Sequence, residues 1–167
     1  MATTERPTRS DMVTTSAGIL LYRTEPEHEV LIAHMGGPFW SRKDAGAWSI
    51  PKGELDPQEQ AYEGALREFR EELGVEPPAG PYVELGTFRV TSSKLLVVFA
   101  AEAPEFVAAG FSFGEFELEW PPRSGRIQLF PEVDRAEWTP LDAARERLVK
   151  GQHPVLDALA ARLDAAA

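Results

Sequence analysis

The chain of 167 residues sets 27 Asp and Glu against 17 Lys and Arg, for a formal net charge of −10 and a pI near 4.8. With 43% hydrophobic and 26% charged residues it reads as folded globular material, which excludes disordered and fibrous classes, and its acidity argues against the basic stripe of a nucleic-acid binder. The lack of cysteine excludes disulfides, thiolate nucleophiles and Cys-ligated zinc.

Met1 to Met12 is polar and aperiodic and is expected to be a flexible tail. From residue 13 to 165 there is no repeat, linker or break in composition, so a single domain is expected. The longest apolar run, Leu95 to Ala101, is too short to cross a bilayer. No charged-then-apolar signal opens the chain, so a cytoplasmic protein without a membrane partner is expected.

In chain order, Ala17–Tyr22 reads as a buried strand and Glu29–Ala33 as its neighbour across a loop containing Pro26. Met35 to Gly46 is a long loop rich in glycine and aromatics, and Trp48–Ile50 a short strand ending at Pro51. A helix then runs to Leu73, where Gly74 suits a left-handed C-terminal cap. Tyr82–Val90 and Lys94–Ala101 form paired strands around Thr91, Ser92 and Ser93, and Phe113–Trp120 forms another, closed by Pro121 and Pro122. Thr139 is expected to cap a helix with Pro140 at its first position, running to about Lys150. Val155–Leu163 forms a last amphipathic helix. This order gives a mixed α+β domain.

The chemistry is concentrated in Gly53 to Val75. On a helix, positions three and four apart share a face. Ala61, Tyr62, Ala65, Leu66, Phe69 and Leu73 make an apolar arc for the sheet. Glu68, Glu71 and Glu72 gather on a neighbouring arc with Gly64, while Arg67 and Arg70 are expected to point elsewhere. Three carboxylates so placed repel one another unless divalent cations sit among them, and Mg²⁺ prefers such oxygens. Gly64 would then keep the face low enough for a phosphate chain.

The spacing is more specific than the cluster. Gly53, Glu59, Arg67, Glu68, Glu71, Glu72 and Gly74 fall, with apolar residues at Phe69 and Val75, in the order of the full Nudix box. Background residue frequencies make a chance match on the order of 10⁻⁹ per starting point. The chain therefore resembles the Nudix hydrolases, from Val13 to Leu163. The resemblance implies an α/β/α sandwich with a mixed sheet and the box helix on one face. It also implies that Glu71 and Glu72 ligate a catalytic divalent metal, with Glu68 a third ligand or base and the Lys52 main-chain carbonyl a further contact. Glu59 and Arg67 would brace the site, framed by Gly53 and Gly74. Mg²⁺, with Mn²⁺ as a substitute, is the expected cofactor. Metal chemistry of this kind hydrolyses a diphosphate linkage without a covalent nucleophile.

A general base is expected from a later loop. Glu115, Glu117, Glu119 and Glu132 are the available acids, with Glu117 or Glu119 favoured. For a small-molecule nucleotide substrate, Phe39 and Trp40 offer stacking surfaces or simply pin their loop to the core. Arg42, Lys43 and Lys52 suit phosphates, and Arg123 and Arg126 suit a distal one. His28 and His34 flank strands and are not expected to be ligands.

Trp48 to Gly53 and the late Glu137-Trp138 look like the Nudix branch that cleaves diadenosine polyphosphates, such as diadenosine tetraphosphate. A tyrosine that several of its members carry is replaced here by Thr91 to Ser93. Nucleoside triphosphates, ADP-ribose and inositol polyphosphates stay open as alternatives, as does a catalytically silent nucleotide-sensing module. Whether the chain is a monomer or a homodimer is not fixed by these patterns. Gly53 to Glu76 carries eight acids against two arginines, more than half of the net −10, so bound divalent cations would invert the local field in favour of phosphate.

Overall fold

A computed structural model describes residues 13–167; the tail expected at Met1 to Met12 lies outside them. The elements in order are β1 (Thr14–Arg23), β2 (Glu29–Met35), β3 (Trp48–Ser49), β4 (Lys52–Glu54), α1 (Ala61–Leu73), β5 (Val83–Thr91), β6 (Lys94–Glu102), β7 (Glu115–Glu119), β8 (Ile127–Pro131), β9 (Val133–Pro140), α2 (Leu141–Arg147) and α3 (His153–Ala166). A 3₁₀ turn at Lys150–Gln152 leads into α3.

The main sheet runs β3-β2-β1-β6-β5, with β4 also paired to β1 and β9 to β2. β1 and β6 run parallel from Thr14↔Lys94 to Tyr22↔Glu102, and the other pairs are antiparallel. Parallel neighbours need a crossover, and that crossover contains the box helix α1. β1 alternates between two cores. Ile19 and Leu21 meet Ala65, Phe69 and Leu73 of α1 on one face. Leu20 meets Ala144 of α2, and Val155, Leu156 and Leu159 of α3, on the other. A strand buried on both faces reads as a continuous apolar run, as Ala17 to Leu21 does. The result is the expected α/β/α sandwich with a mixed sheet.

Three strands were not anticipated: β4, beyond the Pro51 at which the short strand was expected to end, and β8 and β9. β8 and β9 lie where Pro131 and the charges of Asp134, Arg135 and Glu137 interrupt the apolar alternation. Thr139 belongs to β9, where its hydroxyl donates to the Glu137 carbonyl at 3.2 Å, and the helix is entered from Pro140 without a side-chain cap. α2 also stops at Arg147, because Leu148 and Val149 return to extended backbone and Val149 N–H bonds the Trp48 carbonyl at 2.9 Å. Gly74 behaves as expected: at φ 70° it closes α1 and donates to Arg70 O at 2.8 Å.

His34 is fully buried in β2 rather than merely flanking it. Its Nε2–H donates to the Lys43 carbonyl at 2.6 Å, and its Nδ1 lies 2.8 Å from Asp134 Oδ1. One ring thus fastens the long loop after β2 to β9. His34→Ala would leave a cavity and strip the Lys43 carbonyl and Asp134 of their shared ring partner, so it is expected to lower unfolding free energy by about 2–4 kcal/mol. Chemical denaturation measures this, and a change below about 0.5 kcal/mol, the ordinary scatter of surface substitutions, would show that the ring does not hold the loop.

Candidate active site

The site is built where β4 feeds into α1. β4 pairs with β1 through Gly18↔Lys52 and Ala17↔Gly53. Gly53 lies directly beneath Glu68, and a Cβ there would overlap its carboxylate. One turn further along α1, Glu72 is only 9% exposed. The third acid, Glu132, sits between β8 and β9. Its N–H donates to Gly114 O at 2.7 Å, and its carbonyl accepts from Gly36 N–H at 2.9 Å.

The electrostatics show that these acids share one environment. Glu72 is pushed up to about 8, chiefly by burial, opposed by the Lys52 ammonium and reinforced by Glu132 and Glu68. Glu68 is also raised, chiefly by burial, with Arg67 opposing and Glu71 and Glu132 adding repulsion. Lys52, Glu72 and Glu132 line a cleft of about 490 Å³, together with apolar Met35, Val90 and Val133 and polar Lys94 and Gln152. Gln152 is itself fixed: its Oε1 accepts from Ile50 N–H and its Nε2 donates to Ser49 Oγ, both at 2.9 Å.

Arg67 does not point away from the acidic arc. Its guanidinium forms two 2.8 Å hydrogen bonds with Glu59 and reaches Glu68 Oε1 at 2.9 Å and Glu71 Oε2 at 3.0 Å. It also donates to Glu54 O at 3.2 Å, so one side chain ties the loop after β4 to two turns of α1. The pair holds Glu59 down at about 2, mainly through the Arg67 hydrogen bonds. Gly64 serves packing rather than phosphate access. It is buried, and a Cβ there would collide with Leu55 and come within 2.9 Å of Glu59 Oε1.

Several residues expected near substrate stand elsewhere. Among Phe39, Trp40, Arg42, Lys43, Lys52, Arg123 and Arg126, only Lys52 lines the cleft. Phe39 packs edge-on against Trp120 with ring centroids 5.6 Å apart, and Trp40 packs against the core on the α2/α3 side. Lys43 Nζ stands 5.4 Å from the Trp40 ring centre, and Arg42 is exposed. Arg123 and Arg126 occupy the tip between β7 and β8. Glu117 and Glu119 are exposed on β7 outside the cleft, with Glu119 Oε1 accepting from Gly125 N–H at 3.0 Å. The acid brought to the cleft is Glu132, which local sequence marks no more strongly than its neighbours. Met35, Lys94 and Gln152 carried no local signal either.

Among the described residues, no group of three or more His, Cys, Asp or Glu converges into an ion-holding cluster. Arg67 engages an oxygen of both Glu68 and Glu71. The donor chemistry nevertheless fits a hard divalent cation. Carboxylate oxygens are the available side-chain ligands, and the buried Glu72 is raised by desolvation that a nearby double positive charge would offset.

A family model described as the NUDIX domain matches residues 12–159. The chain belongs to the Nudix family. Gly53 to Val75, with the helix α1, lie within the matched span. A curated relative, the CTP pyrophosphohydrolase of Escherichia coli (strain K12), is 36% identical over 62 residues, which are 37% of this chain and 45% of that protein. The match thus spans less than half of that relative's length.

Solved structures agree on the fold. The NUDIX domain of Shewanella oneidensis NrtR, complexed with ADP ribose, superposes with a TM-score of 0.63 at 18% identity, covering 96% of this chain and 94% of that one. The MutT protein from Methanosarcina mazei Go1 gives a TM-score of 0.60 at 19% identity, covering 91% and 96%. A C. elegans Ap4A hydrolase binary complex gives 0.58 at 20%, covering 92% and 99%. No helix among the described residues is long and apolar enough to cross a membrane.

Proposed function

We propose that this Nudix protein is a Mg²⁺-dependent pyrophosphohydrolase that cleaves a diphosphate linkage in a small nucleotide substrate. The observation that carries this reading is the convergence of Glu72, Glu132 and Lys52 on one cleft of about 490 Å³, beside Glu68 on the box helix. Glu68, Glu71, Glu72 and the Lys52 carbonyl would hold the cation, and Mn²⁺ would substitute for it. When bound, it would supply polarisation of a phosphoryl oxygen and activation of water. Glu132, exposed at the same cleft, is placed to take a proton from the attacking water. The Lys52 ammonium meets phosphate charge, while Arg67 and Glu59 keep the loop before α1 in position.

The substrate assigned first is a dinucleoside polyphosphate such as diadenosine tetraphosphate. Support comes from the Trp48 to Gly53 segment and the late Glu137-Trp138. A nucleoside triphosphate is the second reading, favoured by the alignment with the CTP pyrophosphohydrolase. Their shared feature is an anionic polyphosphate, which suits Lys52 and Lys94 in the cleft.

Incubation with dinucleoside polyphosphates, nucleoside triphosphates, ADP-ribose and inositol polyphosphates, with Mg²⁺ or Mn²⁺ and product analysis, decides the substrate. The expected result is metal-dependent release of a nucleoside phosphate from a dinucleoside polyphosphate, with triphosphates slower. Tight nucleotide binding without turnover of any compound would instead identify a sensing module.

A further inference from the structure

β7 and β8 form a two-stranded sheet of their own, apart from the main one. A lone hairpin of this size is marginal in water. Its inner face is anchored by Phe116 and Phe130 over Gly37 and, at the tip, by Trp120 against Phe39. Among the described residues the outer face has no such cover.

The register places Leu129 opposite Glu117 and Ile127 opposite Glu119, so these four side chains share that outer face. Ile127 and Leu129 are each 63% exposed. The two edges of the ribbon differ. β7 carries Glu115, Glu117 and Glu119, the sort of charge that blunts an edge against further pairing. β8 reads Ile127-Gln128-Leu129-Phe130 with no charge at all. Among the described residues, the main chain from Ile127 to Phe130 forms no backbone hydrogen bond beyond its pairing with β7.

The ribbon is also electrically polar along its length. Arg123 and Arg126 at the tip and Glu115 at the stem have no ion-pair partner among the described residues, while Glu117 stands mid-strand opposite Leu129 and Glu119, at the tip end of β7, accepts from Gly125 N–H. We infer that β8 pairs antiparallel with β8 of a second copy of this chain, the Ile127–Leu129 rows meeting across a two-fold axis. That arrangement brings each basic tip alongside the other's acidic stem. The acidic β7 strands stay at the outer edges. A two-fold contact is self-complementary and closes, giving a dimer rather than a filament.

Sedimentation velocity of the full chain in low salt, across a range of protein concentrations, tests this. A dimer is expected for the natural sequence, together with amide hydrogen-exchange protection at Ile127–Phe130 that grows with concentration. Leu129→Lys, an exposed change that leaves the circular dichroism spectrum of the folded chain unaltered, is expected to give a monomer. Arg123→Glu with Arg126→Glu should weaken the dimer about tenfold, and adding Glu115→Lys at the stem should restore much of it. A natural chain that stays monomeric throughout, a dimer that survives Leu129→Lys, or a charge swap that fails to rescue would each overturn the inference.

Discussion

Glu72→Gln is expected to abolish most turnover and, at the same time, to raise the melting temperature of the metal-free protein. The first effect follows from losing a carboxylate donor at the proposed metal site, about 10²- to 10⁴-fold in kcat, or a few kcal/mol of transition-state stabilisation. The second follows from burial. In the folded chain Glu72 is raised from 4.5 to about 8, so between those values the folded state keeps a proton that the unfolded state has released. Stability of the metal-free natural protein must therefore fall as pH rises from about 5 to 8 and level off above that. The neutral amide removes this slope. Thermal melts of both proteins in chelator across that range measure it, and parallel pH curves would show that Glu72 is not the group responsible.

Arg67→Ala acts through position. It removes the cation that Glu59, Glu68 and Glu71 share and unties the loop after β4 from α1. Misplacement of catalytic groups by an ångström can cost about 10²-fold, so kcat/KM is expected to fall by about 10- to 100-fold. The stability effect has a sign opposite to that at Glu72. Glu59 is held at about 2, below its ordinary 4.5, so its contribution is complete above pH 4.5 and disappears as pH falls towards 2. The variant should accordingly be less stable than the natural protein at neutral pH, with the gap closing in acid. Arg67→Lys should recover only part of the loss, because an ammonium cannot replace the guanidinium fork on Glu59. Full activity in Arg67→Ala would show that the brace is dispensable.

Much of this site was legible because it is local. Gly53, Glu68, Glu72 and Gly74 keep fixed spacings on one strand–loop–helix unit, and helical geometry carries those spacings directly into space. Arg67 was misplaced for an instructive reason. Four residues before Glu71, it already flanks the acidic arc by helical spacing, and its long stem then carries the guanidinium on to Glu68 and Glu59. Gly64 was misassigned because the space above a helical glycine depends on the preceding loop, and here Leu55 and Glu59 fill it.

Glu132 was hard to single out because its place at the cleft is tertiary. It reaches Glu72 only once β8 and β9 are in place, and those strands lack a clean alternation. The loop aromatics show the converse. Phe39 and Trp40 look equally suited to a nucleobase or to packing, and the structure seats them on Trp120 and on the core.

Hydrolysis in isotopically labelled water, with Mg²⁺ present and then chelated, tests the central claim most directly. The account predicts one labelled oxygen in a phosphate-containing product, turnover that stops on chelation and returns with Mg²⁺, and a rate at least about 10²-fold lower in Glu72→Gln. Turnover that persists undiminished in chelator, or that Glu72→Gln leaves intact, would contradict it.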